Sequence, residues 1–470
     1  MKYKELRKKY PKFIYRKYSY KINKGNLKIS FLFEVPPDIK FEPQITIENV
    51  TRKELVTLDS LIFHLGLMEI PSYWKATCSP EILIKAGHLN KEQISWWKDL
   101  IMNGMGQFFY ENQIDFRKPN FIKITPINVA GARSNYVAGA RDRVSVPVGG
   151  GKDSVVTLEL LKRARKNIQC FSLNPTEAAL KIMKIADCGA ASGWRPIIVR
   201  REIDEKLLEL NRKGFLNGHT PFSAYLAFLS VLVAAIFGQK YVAFSNERSS
   251  NEGNVKYLGK IINHQWSKSF DFEKKFRDYS KKYLAKEIEY FSFLRPLYEI
   301  QIAKLFSKYP KYFSAFLSCN VAYQTASGTK RPTEKWCGRC PKCLFVFTAL
   351  YPFIEESELL KIFGKNLFED KKLLPIMQEL IGERKFKPFE CVGTKKESLI
   401  AFYLSFKKCI GDTYANLPFL LKYFREKILP KYPNIEKESK KLLDSWNNQN
   451  NLPKEFEKIL KTHLSPQASF

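Results

Sequence analysis

Residues 145–154, Ser-Val-Pro-Val-Gly-Gly-Gly-Lys-Asp-Ser, combine residue types that bind phosphate groups. Three consecutive glycines let backbone N–H groups approach an anion without a Cβ in the way. The lysine can neutralise negative charge, the aspartate can bind Mg²⁺ or cap a helix, and the serine can donate its hydroxyl. The spacing is not that of a Walker loop, so we predict a phosphate loop of another type. Its candidate residues are Gly149, Gly150, Gly151, Lys152, Asp153 and Ser154.

Residues 245–254 contain ten consecutive positions without an apolar side chain. Glu247 or Glu252 could bind Mg²⁺, and Arg248 could pair with a phosphate or carboxylate in a bidentate manner. The alternative is an ordinary solvated loop. The stretch begins where a strand is expected to end, which favours a polar wall of a binding pocket.

Two histidines are candidate proton carriers. His219 precedes a long apolar helix, for which Thr220 is the expected N-cap and Pro221 the first helical residue. His219 is either a loop histidine bonded to the backbone or an active-site acid or base. His264, in a second polar and aromatic segment, is a further candidate.

Three cysteines at Cys337, Cys340 and Cys343 form two overlapping Cys-x-x-Cys pairs, and Cys319 could supply a fourth thiolate. Four thiolates around Zn²⁺ would make a closed structural site. An iron–sulfur cluster, a catalytic or redox thiol, and inert buried cysteines are the alternatives. Cys391 is separate, and it is either a buried small side chain or a catalytic proton carrier.

Strands and helices alternate through the middle of the chain, which predicts a mostly parallel sheet flanked by helices. Ligands bind beyond the carboxyl ends of such strands. This rule selects the loops at residues 149–154, 172–176, 201–205 and 245–254. Strands are expected at 29–35, 44–47, 144–148, 168–173, 196–200 and 241–245. Helices are expected at 55–67, 154–165, 177–188, 221–237, 359–363, 372–381, 397–406 and 436–446.

The 470 residues are sufficient for several domains. We expect an N-terminal α+β domain over residues 1–137, an α/β catalytic domain with the cysteine cluster over residues 138–354, and a mainly helical domain over residues 355–470. No apolar run is long enough to span a membrane, no secretory signal is visible, and a cytoplasmic protein is expected.

The net charge of +31, from 78 Lys and Arg against 47 Asp and Glu, would attract polyanions. A general preference for lysine would produce the same value. The basic residues are spread along the chain, so charge alone does not identify a nucleic-acid binder. Nine cysteines are too few for a disulfide scaffold.

The glycine loop resembles the PP-loop of the ATP pyrophosphatase superfamily, Ser-Gly-Gly-x-Asp-Ser, with Gly149 in place of the first serine. This resemblance implies a PP-loop fold of the adenine nucleotide alpha hydrolase type for the middle domain. It also implies ATP as cosubstrate, split into AMP and diphosphate, with Ser172 and Asn174 as further nucleotide contacts. A similar cysteine cluster holds zinc in 7-cyano-7-deazaguanine synthase.

Several stretches together resemble the UDP-N-acetylmuramoyl-L-alanyl-L-glutamate epimerases of peptidoglycan synthesis. These stretches are residues 146–161, 171–176, 216–230, 245–259, 263–272, 291–306, 336–345 and 387–394. The resemblance implies an ATP- and Mg²⁺-dependent inversion of the terminal L-glutamate of a UDP-MurNAc-dipeptide. Adenylation would cancel the carboxylate charge and allow the α-carbanion to delocalise as an enolate.

On this interpretation, Asp153 and Glu247 would bind Mg²⁺. The candidate catalytic residues are Lys152, Asp153, His219, His264 and Cys391. The candidate substrate contacts are Asn217, His219, Ser245, Asn246, Glu247, Arg248, Asn251, Glu252 and Asn254.

The main alternative is a PP-loop enzyme that adenylates and modifies tRNA or a deazapurine. The positive charge favours it, whereas no RNA-binding module is recognised. A small-molecule substrate is therefore expected rather than a nucleic acid or a membrane. A nucleotide-binding regulator without activity is disfavoured by the density of polar groups around the loop.

Overall fold

The computed structural model describes residues 3–50, 58–127, 141–188, 195–323, 333, 335–410 and 417–464. In these ranges the strands are β1 (Lys12–Asn23), β2 (Asn26–Val35), β3 (Ile39–Phe41), β4 (Gln44–Ile47), β5 (Glu81–Ile84), β6 (Lys123–Pro126), β7 (Arg141–Pro147), β8 (Ile168–Leu173), β9 (Ile197–Glu202), β10 (Gln239–Phe244), β11 (Val255–Tyr257), β12 (Lys260–Ile262) and β13 (Glu289–Ser292).

The helices of the same ranges alternate with these strands and then dominate the C-terminal part. They are α1 (Tyr3–Lys9), α2 (Asp59–Trp74), α3 (Lys91–Gly104), α4 (Gly106–Glu111), α5 (Lys152–Arg163), α6 (Glu177–Ile185), α7 (Glu205–Arg212), α8 (Phe222–Phe237), α9 (Phe270–Tyr283), α10 (Glu299–Phe306), α11 (Asn320–Tyr323), α12 (Pro341–Leu350), α13 (Glu356–Phe363), α14 (Leu374–Ile381), α15 (Lys395–Ile410), α16 (Phe419–Tyr423), α17 (Ile435–Leu443) and α18 (Lys454–Leu464).

Eleven of the described strands form one sheet in the order β13-β10-β7-β8-β9-β4-β2-β1-β5-β6, with β3 beside β2. The five strands from β13 to β9 are parallel, as the alternation of strands and helices predicts. The prediction of this parallel unit is confirmed, and β8 has the predicted bounds.

The N-terminal strands continue the same sheet, because β4 pairs antiparallel with β9. The strand β2 also pairs antiparallel with both of its neighbours, β4 and β1. The whole sheet is therefore mixed. The predicted domain boundary at residues 137 and 138 lies outside the described residues.

The two faces of the sheet carry separate hydrophobic cores. Along β10, Val242 and Phe244 belong to one core, and Tyr241 and Ala243 belong to the other. This alternation is what a strand buried on both faces requires. Helices α2 and α8 cover the first face, and α5 and α10 with the C-terminal helices cover the second. The carboxyl ends of the parallel strands are left at one edge, where the polar loops gather.

A disulfide joins Cys170 of β8 to Cys188, which follows α6. It ties the strand to the helix after it, and nothing in the sequence pattern indicated this pair. Over the described ranges, every helix is too short or too polar to cross a lipid bilayer.

Candidate active site

The glycine loop connects β7 to α5 at the carboxyl edge of the sheet. Gly150 has φ +97°, and a Cβ there would lie 3.1 Å from the Cβ of Ala178 and 3.2 Å from the nitrogen of Ala179. Only glycine fits this turn without strain. Gly151 is the N-cap of α5 and supplies no side-chain cap, so the first N–H groups of the helix can serve an anion. Ser154 donates its hydroxyl to the Gly151 carbonyl at 2.9 Å.

Three carboxylates meet beside this loop. Asp153 is in the first turn of α5, Glu247 follows β10, and Glu299 begins α10. Each offers an oxygen within 4.8 Å of the others. We call these three residues the carboxylate cluster. The glutamates are buried, and the aspartate is partly exposed.

Buried lysines neutralise part of the carboxylate cluster. The Lys152 ammonium pairs with both Asp153 and Glu299, and the Lys342 ammonium lies 3.6 Å from Glu299. Burial lowers the pKa of Lys152, but the two carboxylates outweigh it and raise that pKa overall. In the same way, the two lysines overcome burial and lower the pKa of Glu299 to about 2.

The pKa of Glu247 is shifted in the opposite direction to that of Glu299. Burial, and then repulsion from Glu299, raise the pKa of Glu247 to about 7. A carboxyl group with a pKa near 7 is partly protonated at neutral pH. A cation bound beside it would favour the charged form and release the proton. Oxygen donors of this kind suit Mg²⁺, so the donor chemistry of the cluster fits the expected ion. Asp153 and Glu247, the predicted ligands, are brought together.

A buried arginine holds the loop that carries Glu247. Arg295 donates to the Glu247 carbonyl at 2.6 Å and to the Ser250 hydroxyl at 3.0 Å. It also pairs with Glu273 at 3.1 Å, with both side chains almost fully buried. These contacts fix the backbone around the carboxylate, and the sequence pattern did not single out Arg295.

The two histidines predicted as proton carriers lie together. The ring centroids of His219 and His264 are 4.4 Å apart. Burial, followed by nearby positive groups, lowers the pKa of both, that of His264 to about 4. Both rings are therefore neutral near pH 7.

Helix α8 begins at Phe222 with Pro221 as its N-cap and no side-chain cap, so the predicted cap at Thr220 is wrong. Pro221, with ψ 68°, lies outside the helix.

Cys391 lies in the same region. The Lys268 ammonium donates to the Cys391 sulfur at 3.2 Å, and Lys342 donates to the Cys391 carbonyl. Burial lowers the pKa of Lys268, but Cys391 and Glu247 outweigh burial and raise it.

Two more lysines add positive charge around the histidines. Lys75, after α2, donates to the Gly218 carbonyl at 3.1 Å, and Lys387 lies 3.0 Å from Glu252. Burial, followed by repulsion from Arg201, lowers the pKa of Lys75 to about 8. The pocket around the imidazoles is thus electropositive, which suits an anionic substrate.

The remaining predicted contacts have defined structural partners. Ser172 is buried and donates to the Val148 carbonyl at 2.8 Å. Asn174 bridges to the backbone of Arg201. Ser245 shares a hydrogen bond of 2.8 Å with Thr157.

The other candidate substrate contacts are distributed between pocket and surface. Asn246 donates to Ser292 at 3.1 Å. Arg248 lies over the Tyr298 ring at 4.4 Å. Asn251 is exposed and caps Phe270, and Asn217 is exposed. Asn254 is buried and holds the backbone of His264 at 2.8 Å.

The four predicted cysteines come together at the start of α12. The Sγ–Sγ distances are 3.9 Å for Cys319 and Cys340, 3.6 Å for Cys319 and Cys343, 3.7 Å for Cys337 and Cys343, and 3.5 Å for Cys340 and Cys343. A tetrahedral zinc site with Zn–S bonds of ~2.3 Å has edges of about 3.8 Å. The geometry of these four residues, the thiol cluster, therefore fits Zn²⁺.

Several site residues were not predicted. Glu299, Lys342, Lys268 and Lys387 lie within or beside motifs that drew attention for other side chains. A glutamate as the first residue of the segment Glu299–Phe306, whose other polar residues are Gln301 and Lys304, was the one available signal for Glu299. Nothing in the sequence pattern connected Lys75 with the site.

Comparison with known proteins gives a consistent result. A family model described as MurL N-terminal domain matches residues 4–293, and one described as MurL C-terminal domain matches residues 315–420. Three curated relatives are each named UDP-N-acetyl-alpha-D-muramoyl-L-alanyl-L-glutamate epimerase. The Xanthomonas oryzae protein is 36% identical over 72% of both chains. The Micromonospora protein is 35% identical over 74% of this chain and 75% of its own. The Salinispora tropica protein is 32% identical over 83% and 84%.

Proposed function

Because this chain belongs to the UDP-N-acetyl-alpha-D-muramoyl-L-alanyl-L-glutamate epimerase family and is an isomerase, we propose that it activates the terminal glutamate with ATP before exchanging its α-proton. The product is the D-glutamate form of the UDP-MurNAc-dipeptide, a precursor of peptidoglycan. We expect the reaction to take place in the cytoplasm, because ATP and nucleotide-linked precursors are available there.

One observation carries this proposal: a glycine loop with a carboxylate cluster lies next to a separate group that contains the two histidines and Cys391. Lys342 contacts both, since its ammonium is 3.6 Å from Glu299 and donates to the Cys391 carbonyl. Adenylation and proton exchange need different chemistry, and adjacent sites would let one bound glutamate undergo both.

When ATP is bound, a glutamate carboxylate oxygen would attack its α-phosphorus and displace diphosphate; water would later attack the acyl carbon, which restores the carboxylate and releases AMP with the bridging oxygen. The α-carboxylate is the sensible acceptor, because its acyl group is attached to the carbon that loses the proton. Gly149–Ser154 would bind the phosphates, and Asp153, Glu247 and Glu299 would hold Mg²⁺ against them. Lys152, whose ammonium pairs with Asp153 and Glu299, would offset negative charge on the phosphates.

The proton would be moved by His219, His264 and Cys391. The Lys268 ammonium, which donates to the Cys391 sulfur at 3.2 Å, would hold that side chain in position. General acid–base groups of this kind contribute about 10²–10⁴-fold to a rate. Lys75, Lys268 and Lys387 would attract the substrate's phosphates and second carboxylate, which provides binding energy away from the reacting carbon.

We assign the parallel half of the sheet to the PP-loop fold, supported by the position of the glycine loop between β7 and α5. We assign the thiol cluster to structural Zn²⁺, supported by its Sγ–Sγ distances. The tRNA- or deazapurine-modifying alternative is not favoured, since three relatives share the epimerase name.

The test uses UDP-MurNAc-L-Ala-L-Glu with ¹⁸O in the glutamate carboxylates, together with ATP and Mg²⁺. We expect AMP carrying one ¹⁸O, and D-glutamate after acid hydrolysis of the dipeptide. AMP without ¹⁸O would exclude carboxylate adenylation. Glutamate that stays L while AMP accumulates would exclude the epimerisation step.

A further inference from the structure

The His264 ring is attached to the N-terminal half of the chain through a glutamine. His264 Nδ1 and Gln107 Oε1 are 2.5 Å apart, and Gln107 Nε2 donates to Glu111 Oε1 at 2.7 Å. Gln107 and Glu111 both lie on helix α4. Gln107 is 157 residues away from His264 in the sequence. Gln107 is buried, whereas Glu111 reaches the surface.

The direction of these hydrogen bonds follows from donor and acceptor balance. An ionised Glu111 can only accept, so the NH₂ group of Gln107 faces it. The carbonyl oxygen of Gln107 then faces His264 and can only accept. Nδ1 of the histidine must carry the proton, which leaves Nε2 as the one ring atom with a free lone pair.

Hydrogen bonds also fix the backbone of His264. The His264 N–H donates to Asn254 Oδ1 at 2.8 Å, and Asn254 Nδ2 donates to the Pro388 carbonyl at 2.7 Å. This links the ring to the segment that carries Cys391. Gly218, beside His219, has φ +154°, and a Cβ there would come within 3.1 Å of Glu111 Oε2.

We propose that Gln107 and Glu111 are positioning residues that hold His264 as a neutral base with its lone pair on Nε2. The inference rests on the proposed function. In the step itself, the Cα–H bond of the activated glutamate breaks, the proton goes to Nε2, and the electron pair moves into the enolate of the acyl group. The imidazolium keeps its Nδ1–H bond to Gln107, with Glu111 beyond it.

The charged and titratable groups around the ring set its protonation. They are Glu111 on α4, His219 in the loop before α8, Lys268 in the 3₁₀ turn after β12, and Lys387 in the segment before Cys391. Burial and the lysines favour the neutral ring, and Glu111 opposes them. An anionic substrate that neutralised the lysines would make the ring a stronger base.

The experiment uses full-length protein and follows two readouts, AMP formation and deuterium entry at the glutamate α-carbon in D₂O. Gln107→Leu removes the acceptor, so both tautomers become available. We expect deuterium entry to fall ~10²-fold and AMP formation to change less than ~3-fold. The matched control is Gln113→Leu, the same change at an exposed residue just beyond α4, which should leave both rates unchanged.

A swap variant, Gln107→Glu with Glu111→Gln, moves the carboxylate next to Nδ1–H and keeps residue 107 as the acceptor of that proton, while the hydrogen bond between positions 107 and 111 reverses its direction. A carboxylate there stabilises the imidazolium, so the acidic midpoint of the pH profile for deuterium entry should rise by ~1 unit. A structural role would lower the rate without moving this midpoint. The swap also tests the inference if the leucine variant fails to fold.

Equal losses of AMP formation and deuterium entry in Gln107→Leu, or an unmoved midpoint in the swap, would overturn the inference. Failure of the proposed function looks different. In that case the wild-type protein itself would form no AMP or exchange no α-proton, and the positioning role would fall with it.

Discussion

The carboxylate cluster and the thiol cluster are both compact sets of metal-binding side chains, but their surroundings differ. Lysines reach into the carboxylate cluster and neutralise it, and it lies beside the glycine loop. The thiols contact one another at distances suited to a closed tetrahedron. The charge of the carboxylate cluster can therefore change when ligands bind. The thiol cluster is instead suited to hold one metal ion in a fixed geometry.

Lys342 joins the two regions. It stands between Cys340 and Cys343, its backbone N–H donates to Glu390 at 2.7 Å, and its ammonium reaches both Glu299 and the Cys391 carbonyl. The segment that carries the thiol cluster therefore also places a lysine between Glu299 and Cys391.

The largest effect is expected from Cys343→Ser in the thiol cluster. Loss of one thiolate should release the zinc and lower the free energy of unfolding by ~5 kcal/mol or more, because metal binding contributes directly to folding. Urea denaturation and metal analysis by mass spectrometry measure this. Cys409→Ser, a partly buried thiol on α15 outside the cluster, is the control. Wild-type protein that contains no metal would refute the zinc assignment.

In the carboxylate cluster, Asp153→Asn should reduce AMP formation ~10³-fold, since it removes a metal ligand and a charge at the phosphates. The fold should persist, because Lys152 keeps Glu299 as its partner. A steady-state AMP assay gives the rate, and Asp142→Asn, exposed on β7, serves as the matched control. AMP formation near the wild-type rate would contradict the metal role.

The pH dependence of the free energy of unfolding should also distinguish the carboxylate cluster from the thiol cluster. The pKa of Glu247 is raised to about 7 in the folded protein, so its contribution to stability is complete below its ordinary value near 4.5 and is lost as the pH rises through 7. In Mg²⁺-free buffer, wild-type protein should lose up to ~3 kcal/mol between pH 5 and 8 relative to Glu247→Gln. Parallel stability curves from urea denaturation would show that Glu247 is not responsible.

The smallest effect concerns the connection between the clusters. Lys342→Met should slow deuterium entry at the α-carbon ~10-fold, as expected for one lost hydrogen bond from a charged group, while zinc stays bound. Lys335→Met, an exposed lysine near the same cysteines, should have no effect. Loss of zinc in Lys342→Met would mean that the lysine supports the thiol cluster rather than the reactive region.

The parts that the sequence predicted well are local in the chain. The glycine loop, the Cys-x-x-Cys spacing and the parallel strands each depend on residues close together, so their residue types and periodicity carry the information. The bounds of β8 are an example. Cys319 was included because a fourth thiolate completes a zinc site.

The parts that were missed depend on long-range packing. Glu299 meets Lys152 across 147 residues, and Gln107 meets His264 across 157. Neither pairing leaves a spacing pattern in the sequence. The antiparallel join of β4 to β9 was missed for the same reason. The wrong cap at Thr220 arose because propensity alone cannot show that Pro221 adopts a non-helical ψ.

The most direct test of the account is deuterium entry at the glutamate α-carbon of UDP-MurNAc-L-Ala-L-Glu in D₂O, followed by NMR with and without ATP and Mg²⁺. If the carboxylate cluster must activate the glutamate before the proton-transfer group can act, deuterium should enter only when ATP and Mg²⁺ are present, together with AMP formation. Deuterium entry at the same rate without ATP would contradict the account.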